Sequence, residues 1–165
     1  MSGAASHLVL FVDDTDTSLA PLTAAYCRSL AQEYHLSRSV QIDSAGSHAG
    51  KATRSVPSDL LRFSIQQGLS LEAHRSRQLE AEHLQARTLV ICMREDNFWF
   101  VRNLWTEELT GEVRMFSEWT TQLGMRELPE PLYGEVTYEK AFIWIRQCSR
   151  GLFDQIRHER EGREE

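Results

Sequence analysis

The sequence predicts a three-layer α/β/α domain built on a small parallel sheet of about four strands. Three observations predict it. Residues 8–12 (LVLFV) and 88–93 (TLVICM) are unbroken apolar runs of strand length, the pattern of strands buried on both faces. Stretches with apolar residues at helical spacing alternate with these runs, and that alternation implies parallel strands with crossover helices. Each strand–loop–helix unit then places its loop at the strands' C-terminal ends, where α/β proteins put their sites.

Taken in order, the apolar run 8–12 is followed by the turn-forming loop 13–18 (DDTDTS) and by a helical pattern over 19–34, with Pro21 tolerated in its first turn. Residues 39–43 (SVQID) alternate as a strand, closed by Ser44, Ala45 and Gly46, and 47–55 read as loop. A second helix is expected over 57–67, with Ser55 or Ser58 as cap and Gly68 as stop. A connection over 68–78 holds His74, Arg75, Ser76 and Arg77, and 80–86 suggest a short helix. After the buried strand 88–93, a helix is expected over 94–104 and a strand over 112–116. Pro129, Glu130 and Pro131 demand extended backbone. Apolar residues at 142, 145, 148, 152, 153 and 156 mark a long C-terminal amphipathic helix. The charged end, 157–165, is expected to fray.

The 165 residues suit one domain, with an ordered core over about 7–157. A formal charge of −6 leaves no basic excess for binding nucleic acid. Cys27, Cys92 and Cys148 are widely spaced, so neither a disulfide framework nor a zinc site is indicated, and a reducing, cytoplasmic setting is expected. Residues 1–6 carry no basic or long apolar leader, and no run reaches membrane-spanning length.

The loop 13–18 is the organising feature. Backbone N–H groups and a helix dipole converge at such a place and favour an anion. Yet the loop holds Asp13, Asp14 and Asp16 and lacks Gly, Lys and Arg. Three carboxylates there repel phosphate. The plain reading is a solvated, helix-capping acidic loop.

Several stretches together resemble the low-molecular-weight protein tyrosine phosphatases, a family that includes protein arginine phosphatases. They are LVLFV, then IDSAGS (42–47), QQGLSL (66–71), HRSRQL (74–79), LVICMREDN (89–97) and PEPLYG (129–134). The resemblance implies that family's fold. The family's signature loop is V-C-x-G-N-x-C-R-S-P, with the first Cys as nucleophile and the Arg gripping phosphate. Laid on residues 12–21, it puts Asp13 at the nucleophile, Asp14 beside it, Thr15 at the Gly, Asp16 at the Asn and Thr17 after it. Ser18 falls at the second Cys, Leu19 at the Arg and Ala20 at the Ser, so only Val12 and Pro21 match. Glu130 stands where the family's D-P-Y-Y-G loop has its general acid.

Phosphoryl transfer of this kind needs an activated thiolate and a cationic, N–H-lined pocket. Asp13 and Leu19 supply neither, so the resemblance implies an inactive relative, a pseudophosphatase with a degenerate loop, no cofactor and no phosphate ligand. With Thr15 and Asp16 in place of Gly and Asn, a rearranged loop is expected, its N–H groups capped by Asp13, Asp14 or Thr17. Residues 74–77 are expected mainly to tie loops together. Of Phe98, Trp99 and Phe100 at least one must be exposed. With Tyr133 and the acidic loop, Phe98 and Trp99 form a candidate interface for a protein partner or a second copy.

A competing reading takes Asp14 and Asp16 as a D-x-D motif after an apolar strand, which resembles the opening of the haloacid-dehalogenase phosphatases. It implies an enzyme using both carboxylates with Mg²⁺, completed by Glu95 and Asp96. The G-T that follows D-x-D in that family is absent here.

Overall fold

The run 8–12 lies inside the sheet, as its two-sided apolar character requires. The structure, a computed structural model, describes residues 7–85 and 88–164. Four strands, β1 (His7–Asp13), β2 (Val40–Gly46), β3 (Thr88–Cys92) and β4 (Glu112–Met115), form one parallel sheet in the order β2-β1-β3-β4. The helices are α1 (Leu19–Glu33), α2 (Ser58–Gln66), α3 (Glu95–Leu104) and α4 (Tyr138–Glu164).

Side-chain alternation along β1 assigns the layers. Val9 and Phe11 join the larger core with residues of α1, α2 and α4. Leu10 and Val12 join the smaller one with Val101 of α3, Leu79 and Leu84. The sheet is therefore covered on both faces. Because the chain passes from β1 to β2 on one side and returns to β3 on the other, the strand order reverses between β1 and β3. The crevice at that switch point is bounded by the loop after β1 and the start of α3 after β3.

Several expected boundaries are corrected. Ser44, Ala45 and Gly46 belong to β2 rather than closing it, since Asp13 pairs with Gly46 across the sheet. Neither Ser55 nor Ser58 caps α2: Pro57 is its N-cap, with no side-chain cap bond. The short helix expected over 80–86 is one 3₁₀ turn, Ala81–His83, and its expected end at Ala86 lies outside the described residues. Arg94 caps α3 instead of opening it. Glu130 is extended as expected, but Pro131–Tyr133 close into a 3₁₀ turn. The strand expected over 112–116 stops at Met115, where the 3₁₀ turn Phe116–Trp119 begins.

The largest correction concerns the chain's end, which is helical to Glu164 instead of frayed. Buried Ile156 anchors that segment, and the indole N–H of Trp119 donates to Oε1 of Gln155 at 2.8 Å. Good helix formers (Glu, Arg) carry the helix on from there. The leader expectation for residues 1–6 falls outside the described residues.

Candidate functional site: a buried carboxyl loop

β1 ends on Asp13, and α1 begins six residues later. Ser18 is the N-cap of α1 but makes no side-chain cap bond. Asp13 does the capping instead. Its Oδ1 accepts from the N–H of Asp16 at 2.6 Å and its Oδ2 from the N–H of Ala20 at 2.9 Å. The carboxyl thus lies across the mouth of the helix and occupies N–H groups that an anion would need there. It is only 1% exposed. Burial pushes its pKa well up, the nearby carboxyls of Asp16 and Glu130 push the same way, and the two N–H donors oppose them.

Asp16 takes the left-handed conformation, φ 56°. Asp tolerates this region much as the Asn of the family loop does, and of the expected caps on the loop's N–H groups it is Asp13 that forms. Three contacts hold it. The N–H of Arg77 donates to Oδ2 at 2.9 Å, Nε2 of His74 lies 2.7 Å from the Asp16 carbonyl oxygen, and Oδ1 lies 3.6 Å from the same His74 nitrogen. Burial raises the carboxyl to about 6 against the pull of His74 and Arg77. Arg77 in turn reaches Asp43 at 3.0 Å, and Ser76 Oγ accepts from the N–H of Arg54 at 2.9 Å. Residues 74–77 do tie loops together.

The loop is also pressed from below. A Cβ on Gly46 would stand 2.8 Å from the Asp14 carbonyl oxygen and from the Asp16 nitrogen. Only glycine lets β2 pass this close.

Asp14 points elsewhere. Nδ2 of Asn97 donates to its Oδ1 at 2.7 Å and also lies 3.0 Å from Ser47 Oγ. The hydroxyl of Tyr133 donates to its Oδ2 at 2.5 Å. Neither Asp14 nor Thr17 caps an N–H of the loop; Thr17 Oγ1 pairs with Thr15 Oγ1 at 2.7 Å. Asn97 is fully buried and was not singled out from the sequence, although it lies inside LVICMREDN. Its one signal was position: three residues beyond the N-cap of a helix, where its Oδ1 accepts from the N–H of Arg94 at 3.0 Å.

The segment 129–134 closes the site from the far side. Glu130 is 2% exposed, and its Oε1 accepts from the Ser18 hydroxyl and from the N–H of Leu132. Burial raises its pKa, opposed by those two donors. Tyr133 is half exposed and its phenol is held protonated by burial and by Asp14. The solvated acidic loop expected from the sequence is therefore corrected: Asp13, Asp16, Thr17 and Ser18 are buried. Leu19 and Ala20 are buried in the larger core, facing no solvent.

In this arrangement burial works against the charged forms of Asp13, Asp16 and Glu130. No Lys, Arg or Cys stands in 13–18. Cys27, Cys92 and Cys148 are all buried elsewhere, and burial pushes each thiol up, Cys27 and Cys148 to about 12. Asp14 and Asp16 do not form the expected pair, because one carboxylate serves Asn97 and Tyr133 and the other Arg77 and His74. Nor does Glu95 complete it: its carboxylate pairs with Arg126, and its N–H donates to Glu127. Among the described residues no group of three or more His, Cys, Asp or Glu side chains is placed to hold a metal ion. Of the three aromatics, Trp99 is 58% exposed, while Phe98 and Phe100 pack on the smaller core.

The family model for low molecular weight phosphotyrosine protein phosphatase matches residues 8–162. Among solved structures, YfkJ from Bacillus subtilis superposes with a TM-score of 0.84 at 22% identity, covering 94% of this chain and 97% of that one. A protein tyrosine phosphatase from Entamoeba histolytica, solved with Hepes in the active site, gives 0.85 at 18% identity, covering 94% and 99%. The Drosophila arginine phosphatase gives 0.81 at 17%, covering 90% and 96%. At such identities the likeness to these structures establishes the fold. No curated protein matches the sequence. Taken with the four-stranded parallel sheet and its layers, the match over nearly the whole length settles the family: this chain is a member of the low-molecular-weight phosphotyrosine protein phosphatases.

Proposed function

We propose that the chain is a catalytically inactive member of its family, a pseudophosphatase that works by contact with another protein. One observation carries the reading. The Asp13 carboxyl, at the position the family gives to its nucleophilic Cys, fills N–H donors at the head of α1. Leu19, at the position of the phosphate-gripping Arg, is buried in the core. Nucleophile and ligand are lost together, and the vacated donors are taken by a side chain that leaves them unavailable to the substrate dianion. Glu130, at the general-acid position, is tied to the Ser18 hydroxyl and to the N–H of Leu132.

The expected result is no turnover of aryl phosphate or phosphoprotein above a buffer blank, with or without Mg²⁺, and no thermal shift with inorganic phosphate. Vanadate-sensitive hydrolysis by protein free of contaminating phosphatase would overturn the reading, and Mg²⁺-dependent hydrolysis would return it to the acidic-pair alternative.

The contact role rests on Asp14 with half-exposed Tyr133 bonded to it, and on exposed Trp99 of α3, which offer a carboxylate and aromatic anchors to an Arg-rich or Tyr-bearing partner or to a second copy. A reducing, cytoplasmic setting goes with this reading. The double variant Asp14→Arg with Tyr133→Ala is expected to lose association, read as solution mass and as partner capture. Retention of every association by that variant would place the contact surface elsewhere.

A further inference from the structure

A second cleft, of about 510 Å³, lies at the opposite pole of the sheet. Its lining includes Thr88 and Glu112, the first residues of β3 and β4, whereas the carboxyl loop leaves the far end of β1. Seven residues of strand separate the two poles, roughly 20 Å. The volume suits a small organic molecule.

Its walls have two characters. Val9, Leu89 and Ile156 form an apolar floor, beside the Trp119 ring. The last turns of α4 form the rim, with Arg160 and Arg163 three residues apart and so on one helix face. The remaining charges of the lining are already engaged. Arg114 lies 5.1 Å over the Trp119 ring and pairs with Glu118 at 2.8 Å and Glu112 at 3.2 Å. Glu159 accepts from Gln155. Arg160 and Arg163 have no ion pair or hydrogen bond among the described residues, although the chain is acidic overall and Arg160 is partly buried. Guanidinium groups left unpaired at the lip of a cleft with an apolar floor suit an anion whose body is apolar.

We propose that this cleft binds a small amphipathic anion, an alkyl or aryl body carrying one carboxylate, sulfonate or phosphate group. The body lies over Val9, Leu89 and Trp119, and the head group is held by Arg160 and Arg163. The site is independent of the carboxyl loop and of its inactivity. The competing account gives the two arginines no ligand and only a favourable place near the C-terminal end of the α4 dipole.

The test uses the full chain and the fluorescent probe anilinonaphthalene sulfonate. The expected result is saturable binding, reversed by decanoate but not by inorganic phosphate at equal concentration. Amide shifts should fall on Leu89 and on the last turns of α4, not on 13–18. Arg160→Ala with Arg163→Ala removes the head-group contacts and is expected to weaken binding at least tenfold with the melting temperature unchanged. Thr110→Trp fills the cleft from its exposed mouth and is expected to block the probe while leaving both arginines in place. Failure of the wild type to bind, or undiminished binding in either variant, overturns the proposal. A fall in melting temperature of the double-Ala variant with probe affinity intact would establish the dipole account instead.

Discussion

Gly46→Ala is expected to destabilise the domain by about 3 kcal/mol, near the upper end of what overpacking costs. The added methyl would meet backbone and not the flexible end of a side chain, with Asp14 O, Thr15 C and Asp16 N all at 2.8 Å. These atoms cannot swing aside. The loop is fixed at one end by the pairing of Asp13 with Gly46 and at the other by the bond from Ala20 to Asp13. Relief therefore requires moving β2 or breaking the Asp13 cap. Gly50→Ala is the matched control: its φ is 78°, but a Cβ there meets nothing within 4 Å. It carries only the left-handed backbone penalty of about 1 kcal/mol. Urea midpoints of the two variants test the contrast. A Gly46→Ala protein no less stable than Gly50→Ala would show that the loop is not pinned.

The second large effect is on pH. Burial raises the carboxyls of Asp13, Asp16 and Glu130 above the ordinary values of 3.8 for Asp and 4.5 for Glu. A carboxyl raised in the folded state favours folding while it is protonated. Its contribution is full below the unfolded value and is lost as pH rises through the folded one. For Asp16 the window runs from about 4 to about 6, and the loss across it is roughly 3 kcal/mol. Asp13 and Glu130 act in the same direction.

The domain is therefore expected to be more stable near pH 5 than near pH 8, measured as urea midpoints across that range. Asp16→Asn keeps an acceptor for the Arg77 N–H and tolerates the positive φ, so it should flatten the curve. A wild-type midpoint that rises from pH 5 to pH 8 would contradict the penalty that burial places on the charged forms of these groups.

How much of this was legible before folding differs from element to element. The strand at 8–12 and the strand at 88–93 were plain, because a strand covered on both faces must be apolar at every position. The amphipathic spacing of α4 was plain up to Ile156 for a related reason. Beyond it the helix was not legible, since its last turns carry no apolar stripe and continue from an anchor, buried Ile156 and the Trp119–Gln155 bond, that joins residues distant in the chain. The family resemblance was legible in six short stretches, and so was the absence of Cys, Lys and Arg from 13–18.

What the sequence by itself determined is the layered parallel fold, the position of the loop at a strand's C-terminal end, and the residue types standing there. Only the tertiary structure decided what those residues do. A run of DDTDTS is, by composition, a solvated turn. It became a buried cluster because Glu130, 112 residues from Ser18, bonds that hydroxyl, while His74 and Arg77 close over Asp16. Asp13 and Asp14, adjacent in the chain, consequently face opposite demands: one seals the head of α1, the other joins Asn97 to Tyr133. Periodicity reports which face of an element is apolar. It carries no information on which distant donor will reach a given carboxylate, and at this site that choice sets burial, charge and chemistry.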